Sequence, residues 1–141
     1  MVDIIKVSSE QEFEKVLALR FEVFVDEQGV PPEIERDEAD GNAVHVLAQK
    51  DRKPVGCGRV EIDGKQAKIG RMAVRKSYRD QGIGSGICRK LIELASQQGC
   101  EKVVLHAQLT ARRFYEKQGF KARGSIFTEA GINHIKMILE L

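Results

Sequence analysis

The sequence predicts an α/β (α+β) fold: a mixed, mostly antiparallel sheet of about seven strands with helices packed on it. Three observations point there. Strand-like runs follow one another between residues 43 and 74 with hairpin-sized connections, which makes an antiparallel meander. A strand, an amphipathic helix and a second strand then span residues 67–107, a β-α-β unit whose crossover is right-handed and whose strands are parallel. Two more strand-like runs close the chain as a hairpin. At 141 residues, 42% of them hydrophobic, the chain has the size and apolar content of one domain, residues 1–141.

Each element has its own signal. MVDIIKV reads as the first strand. Ser9 then caps a helix, with Glu12 three residues on completing a capping box. Phe13, Val16, Leu17, Arg20, Phe21 and Phe24 recur at helical spacing and predict its buried face, and Gly29 with Pro31-Pro32 ends it. Val25 to Asp40 follows as an irregular acidic loop, long enough to be either disordered or functional. After the Asp40-Gly41-Asn42 turn come AVHVLAQ (43–49), VGCGRVEI (55–62) and AKIGRMAV (67–74). Lys50 to Pro54 and Asp63-Gly64-Lys65 connect them, Asp-Gly being the stronger hairpin signal. A helix runs from about Gly84 to Gln98, with Ile87, Leu91, Ile92, Leu94 and Ala95 on its apolar face and Gly99 at C′. KVVLHA (102–107) reads as a buried strand and Thr110 to Gln118 as a short helix closed by Gly119. FKARGSIF and HIKMILEL pair through the Glu129-Ala130-Gly131 turn.

Composition narrows the function classes. The 23 basic and 21 acidic residues, net +2, are too evenly balanced to argue for nucleic acid. No basic stripe indicates a membrane surface, and no apolar run approaches the ~20 residues of a spanning helix. The N-terminus has no signal-peptide pattern, so a cytoplasmic location is expected. Cys57, Cys88 and Cys100 form no C-x-x-C and read as three small apolar residues. His45, His106 and His134 are scattered singly, so no metal site is expected.

The stretch RDQGIGSG (79–86) carries the chemistry. Gly82, Gly84 and Gly86 lie where a strand's C-terminal end turns into a helix. Helix-start N–H groups lack internal partners, the macrodipole is positive there, and glycine lets the main chain approach a ligand closely. With Arg75, Lys76, Arg79 and Arg89 nearby, the site suits a phosphate or pyrophosphate. A tight turn with no ligand is the alternative. A P-loop fails, because Gly84 is followed by Ser85-Gly86 with no lysine. A dinucleotide fingerprint fails at Ile87 and on the antiparallel meander upstream.

Arg79-Asp80-Gln81-Gly82-Ile83-Gly84 fits the pattern [RQ]-x-x-G-x-[GA], follows IGRMAV and precedes an amphipathic helix. KVVLHAQLTARRFYEKQGF then supplies a strand, a short helix with a tyrosine, and a closing GF. In these blocks and in element order the chain resembles the GNAT superfamily of N-acyltransferases over nearly its whole length. LRFEVFVDEQGVP and the following segment to Asp40 are similar to the ElaA-like branch.

The resemblance implies a central parallel pair that splays, helices on both faces, and binding of acetyl-CoA or another acyl-CoA as co-substrate, without a metal. The diphosphate would lie on residues Arg79, Asp80, Gln81, Gly82, Ile83, Gly84, Ser85 and Gly86. The pantetheine arm would pair with the open edge of Met72-Ala73-Val74, as a peptide strand would. The Val74 N–H is implied as an oxyanion donor and Tyr115 as the catalytic hydrogen-bond donor to the leaving thiolate. Many family members have Asn seven residues before the tyrosine, where this chain has Gln108. By spacing alone, Ala111, Phe114, Tyr115 and Gln118 share one helix face, so Tyr115 reads equally as a core aromatic.

The implied function is transfer of an acetyl group to the amine of an unidentified small-molecule acceptor, by direct attack in a ternary complex. A non-catalytic acyl-CoA sensor or interaction module is the alternative. The base is unassigned among Glu27, Glu33, Glu35, Asp37, His45 and His106, or water. His106 lies near the expected cleft, but a satisfied structural histidine is the favoured reading there. The acidic loop 26–40 would overhang the acceptor side and suit a cationic amine. The C-terminal strand edge leaves room for a homodimer.

Overall fold

The computed structural model describes residues 1–141. Its seven strands are β1 (Val2–Lys6), β2 (Val44–Lys50), β3 (Lys53–Asp63), β4 (Gln66–Val74), β5 (Lys102–Gln108), β6 (Lys121–Glu129) and β7 (Ile132–Glu140). They form one sheet in the order β1-β2-β3-β4-β5-β7-β6. Only β4 and β5 pair in parallel. The helices are α1 (Glu10–Arg20), α2 (Pro32–Glu35), α3 (Ile83–Gln97) and α4 (Arg112–Lys117). The predicted mixed sheet, with its parallel pair in the middle, is what the chain forms.

Strand alternation divides the apolar side chains between two cores. On one face α3 lays Ile87, Cys88 and Leu91 over Val46, Ala48, Val60 and Leu105. Gly56 and Gly58 let it lie directly on β3. A Cβ at Gly56 would stand 2.7 Å from Ile87 Cδ1, and one at Gly58 2.8 Å from Leu91 Cδ1. On the other face Val16, Leu19, Val23 and Phe24 cover Leu47, Cys57 and Ala73. Helices therefore lie on both faces, as expected.

The hairpin turns are tight. Lys50 pairs with Lys53, leaving Asp51-Arg52 as a two-residue loop, with both residues at positive φ (51° and 68°). That is the primed geometry that matches strand twist, reached here without glycine.

Helix α1 starts as predicted. Ser9 Oγ accepts from the Glu12 N–H at 3.2 Å, but Glu12 Oε1 returns to the Ser8 N–H at 2.8 Å rather than to Ser9. Its end differs from expectation. After Arg20 the backbone continues as a π-helix, Phe21–Glu27. The buried face is also a different one: Val16, Leu19, Arg20 and Val23, at i, i+3, i+4 and i+7, are buried, Leu17 is half-buried, and Phe21 is 47% exposed. The apolar positions read from the sequence, Phe13 to Phe24, had placed Leu17 and Phe21 inside; the observed face shares Val16 and Arg20 with them but turns to Leu19 and Val23.

The acidic segment is not a free loop. Arg20 is fully buried; its Nη1 and Nη2 donate to Asp40 at 2.7 and 3.1 Å, and its Nε to Glu35 Oε2 at 3.0 Å. Arg59 Nη1 reaches Asp37 and Asp40 at 2.7 and 2.8 Å. Arg71 Nε bonds the Glu35 carbonyl at 3.0 Å, and Nη2 bonds Asp37 at 3.3 Å. Three arginines from α1, β3 and β4 thus hold three carboxylates, and unpaired members of such a cluster would be expensive to bury.

The parallel pair is short. Gln66–Ile69 run beside Lys102–Leu105, and the pairing stops there. On its other side β4 carries a bulge: Cys57 pairs with Ala73 but Arg59 with Gly70, and Arg71 sits at φ 50°. A bulge bends its strand, and beyond it Ala73 and Val74 stay with β3 while β5 departs. A slot opens between them.

Candidate active site

Two cavities meet at that slot. On the α3 side, a groove of about 650 Å³ runs from Met72-Ala73-Val74 past Arg79, Asp80, Gly82, Ile83, Gly84 and Ser85 to Phe114 and Tyr115. On the α1 side, a cleft of about 480 Å³ takes in Gln28, Arg71, His106, Gln108, Glu129 and His134. Met72, Ala73, Val74, Arg79, Ala111 and Tyr115 line both.

The groove ends on the start of α3. Gly82 is the N-cap at φ +82° and no side chain caps the helix. The Gly86 N–H donates to Gly82 O at 3.1 Å, the first bond of the helix. The N–H groups of Ile83, Gly84 and Ser85 precede that bond and are the open donors. Gly84 lies against Phe114: a Cβ there would stand 3.4 Å from the ring, in van der Waals contact, so only a side chain larger than alanine would crowd the groove.

Gly86 departs from expectation. Its N–H is used inside the helix, and a Cβ there would lie 2.6 Å from Ile4 Cδ1, so this glycine serves the packing of α3 on β1. Gln81 points its amide at Ser77 O, 3.5 Å away, and does not line the groove. Arg79 and Arg75 are already paired. Arg79 holds both Glu27 oxygens at 2.6 and 2.7 Å, and Arg75 holds Glu22 at 2.9 and 3.2 Å. Lys117, which sequence reasoning missed, lines the groove instead.

The ladder orients Val74. Arg75 N donates across to Val55 O, so the alternation of an antiparallel pair turns Val74's N–H and C=O toward the slot. Its carbonyl accepts from Arg79 Nε at 2.8 Å.

Tyr115 belongs to the core and to the site at once. Its ring packs edge-on against Phe114 and Phe120, with centroids 4.9 and 5.9 Å away. Its hydroxyl has no hydrogen-bond partner in the protein, and the residue lines both cavities. Burial, with a smaller contribution from Cys88, pushes the phenol well above its ordinary range. Tyr115 is thus held as a neutral donor. Cys57 and Cys88 are likewise pushed up by burial, to about 12, and stay as inert thiols.

Most acidic candidates for a base are engaged elsewhere. The hydrogen bond from Arg79 holds Glu27 below its ordinary range, and Glu35 and Asp37 belong to the arginine cluster. Glu33 lines neither cavity. His45 lies away from the cleft against Phe13, its Nε2 3.0 Å from Asp40 O. His106 does line the cleft, with Nδ1 3.0 Å from Glu129 Oε1. His134 and Glu129 join it there, and no local pattern in the sequence marked either. Gln108 Nε2 donates to Gln28 Oε1 at 2.8 Å, tying β5 to the end of the π-helix.

Comparison with known families decides what this architecture is. Residues 4–141 match the model of the acetyltransferase (GNAT) domain. The chain belongs to the GNAT acetyltransferase family. It is 36% identical over 131 residues to the uncharacterised N-acetyltransferase YjcF of Bacillus subtilis, covering 92% of this chain and 94% of that one. It is 32% identical over 131 residues to ElaA of Escherichia coli, covering 89% and 86%. The ElaA crystal structure superposes with a TM-score of 0.89 at 27% identity, covering 99% of this chain and 100% of that one. A crystallised N-acetyltransferase candidate from Lactobacillus plantarum gives 0.91 at 29%, covering 99% and 98%. This GNAT chain is therefore an acyl-CoA-dependent N-acetyltransferase, with likeness to the ElaA branch.

Proposed function

We propose that this GNAT protein transfers the acetyl group of acetyl-CoA to the amine of a small acceptor by direct attack in a ternary complex. The observation that carries the reading is the meeting of the two cavities at Tyr115. A thioester in the slot would have its cofactor in one cavity and its acceptor in the other. The diphosphate would rest on the Ile83, Gly84 and Ser85 N–H groups, where the helix dipole favours an anion. The pantetheine amides would pair with the slot-facing edge of β4. The Val74 N–H would donate to the oxyanion of the tetrahedral adduct.

Tyr115 then works as a hydrogen-bond donor. An ordinary phenol is already a weaker acid than a thiol by about 1.5 units, and burial widens the gap. Full proton transfer to the thiolate is uphill, whereas a hydrogen bond from Oη stabilises the sulfur as charge develops.

The test is CoA release from acetyl-CoA with a pooled set of primary amines, alongside a thermal shift with acetyl-CoA alone. A ligand at 100 times its Kd adds about 2.7 kcal/mol of stability. Stabilisation with amine-dependent CoA release supports the reading. Stabilisation with no release from any amine would leave an acyl-CoA-binding module instead.

A further inference from the structure

We infer that His106, held by Glu129, is the group that takes the proton from the acceptor amine; this rests on the acetyl-transfer reading above. His106 is the first β5 residue beyond the last parallel pair, Ile69 with Leu105, so it stands at the mouth of the slot. Leu105 and Ala107 point into the α3-side core. Alternation sends His106 and Gln108 to the opposite face, into the cleft through which an acceptor would enter.

The ring's protonation pattern follows from its partner. Nδ1 lies 3.0 Å from Glu129 Oε1. An ionised carboxylate only accepts, so Nδ1 carries the hydrogen and Nε2 keeps its lone pair. Phe127 packs edge-on against the ring at 5.0 Å and limits its rotation. The second Glu129 oxygen lies 3.9 Å from His134 Nε2, and His134 is fixed by its own Nδ1–H donating to Ile132 O at 2.7 Å. Glu129 is thus positioned to compensate the imidazolium that forms when Nε2 takes a proton.

Other charged groups share the strand pair or the cleft of His106. Lys136 stands opposite it in register on β7, Lys68 and Arg71 come from β4, and Glu61 from β3. None of these four is hydrogen-bonded to His106; Glu129 is.

The proton accounting closes. An alkylammonium R–NH3⁺ gives one proton to His106 Nε2, which passes it to solvent. The neutral amine then forms the N–C bond. As the C–S bond breaks, the adduct's nitrogen loses its second proton and the thiolate sulfur gains one. The products are the acetamide, CoA thiol and one proton in solution. An amine that is already neutral at pH 7, such as hydroxylamine, skips the first transfer.

That difference supplies the test. CoA release from acetyl-CoA is measured with a primary alkylamine and with hydroxylamine for wild type, His106→Gln and Glu129→Gln, with thermal unfolding as the check on folding. General-base catalysis contributes roughly 10²–10⁴-fold. His106→Gln is expected to lose about 100-fold or more with the alkylamine, less than about tenfold with hydroxylamine, and the acidic limb of the wild-type pH profile. Glu129→Gln, a positioning change, is expected to lower kcat with the alkylamine more than with hydroxylamine while leaving the KM for acetyl-CoA within about twofold, because the imidazolium that forms loses its counter-charge. Equal losses of His106→Gln on both amines, or an unchanged pH profile, would overturn the assignment. Should wild type release no CoA with either amine, the transfer reading fails first and the base with it, an outcome told apart by the silence of the unmodified protein.

Discussion

Arg79 joins two ends of the site: its Nε donates to the Val74 carbonyl at 2.8 Å while its Nη1 and Nη2 hold both oxygens of Glu27. One guanidinium thereby ties the open end of β4 to the end of the π-helix. Arg79→Lys keeps the charge but loses the fork. We expect the Kd for acetyl-CoA, measured by calorimetry, to rise by roughly three- to tenfold, up to about 1.4 kcal/mol.

Two glycines in one turn should answer differently. Gly84 lies over Phe114 with an open N–H, so Gly84→Val should weaken acetyl-CoA binding by about tenfold or more, on the order of 1.4 kcal/mol. Gly86 faces Ile4 and its N–H is spent on Gly82 O. Gly86→Ala should therefore leave the affinity within about twofold and act only on stability, since helix gain and overpacking both lie near 1 kcal/mol. Calorimetry on the pair distinguishes a ligand role from a packing role.

Tyr115 separates stability from turnover. Tyr115→Phe keeps the ring contacts with Phe114 and Phe120 and removes a hydroxyl that bonds nothing in the protein. Its thermal midpoint should stay close to wild type, while amine-dependent CoA release falls by about 10²-fold, as when one transition-state donor is removed. Tyr115→Ala should instead cost about 3–5 kcal/mol of stability through the core.

Acid should destabilise the fold in two stages. Burial, outweighing its hydrogen bond to Asp40 O, lowers His45 below its ordinary 6.5. A group whose folded pKa is depressed contributes stability above its unfolded pKa and loses it as pH falls through the folded one. The His45 contribution therefore begins to fade below pH 6.5. For Asp40, burial alone would raise the carboxyl, but hydrogen bonds from Arg20 and Arg59 win and hold it well below the carboxylate range. Asp37 is lowered chiefly by Arg59. Their contribution is whole above pH 3.8 and drains below it. Urea unfolding at pH 7.5, 5 and 3 should show both losses, and Asp40→Asn should remove most of the second.

The seven strands along the chain, the 43–74 meander, the parallel pair and the closing hairpin were legible because each carries a local signal: the apolar runs AVHVLAQ and KVVLHA, and the Asp-Gly hairpin; the insertion of β7 between β5 and β6 and the seat of β1 beside β2 were not. The turn at Gly82 was legible for the same reason. What escaped depends on pairs far apart in the chain. Arg20, Arg59 and Arg71 come from three elements to hold Glu35, Asp37 and Asp40, so a segment that reads as acidic and loose is neutralised and anchored. His106, Glu129 and His134 come together only because β5, β7 and β6 lie side by side. The bulge at Arg71 falls where the alternation of AKIGRMAV breaks, after Ala67-Lys68-Ile69 and before the apolar run Met72-Ala73-Val74, a break that the strand reading did not use. The π-helix was invisible to a reading built on a 3.6-residue period.

The most direct measurement is a crystal structure with acetyl-CoA bound. We predict the diphosphate oxygens within hydrogen-bond distance of the Ile83, Gly84 and Ser85 N–H groups, and the thioester sulfur within reach of Tyr115 Oη. Acetyl-CoA seated elsewhere, or a thioester turned away from the slot between β4 and β5, would contradict the account.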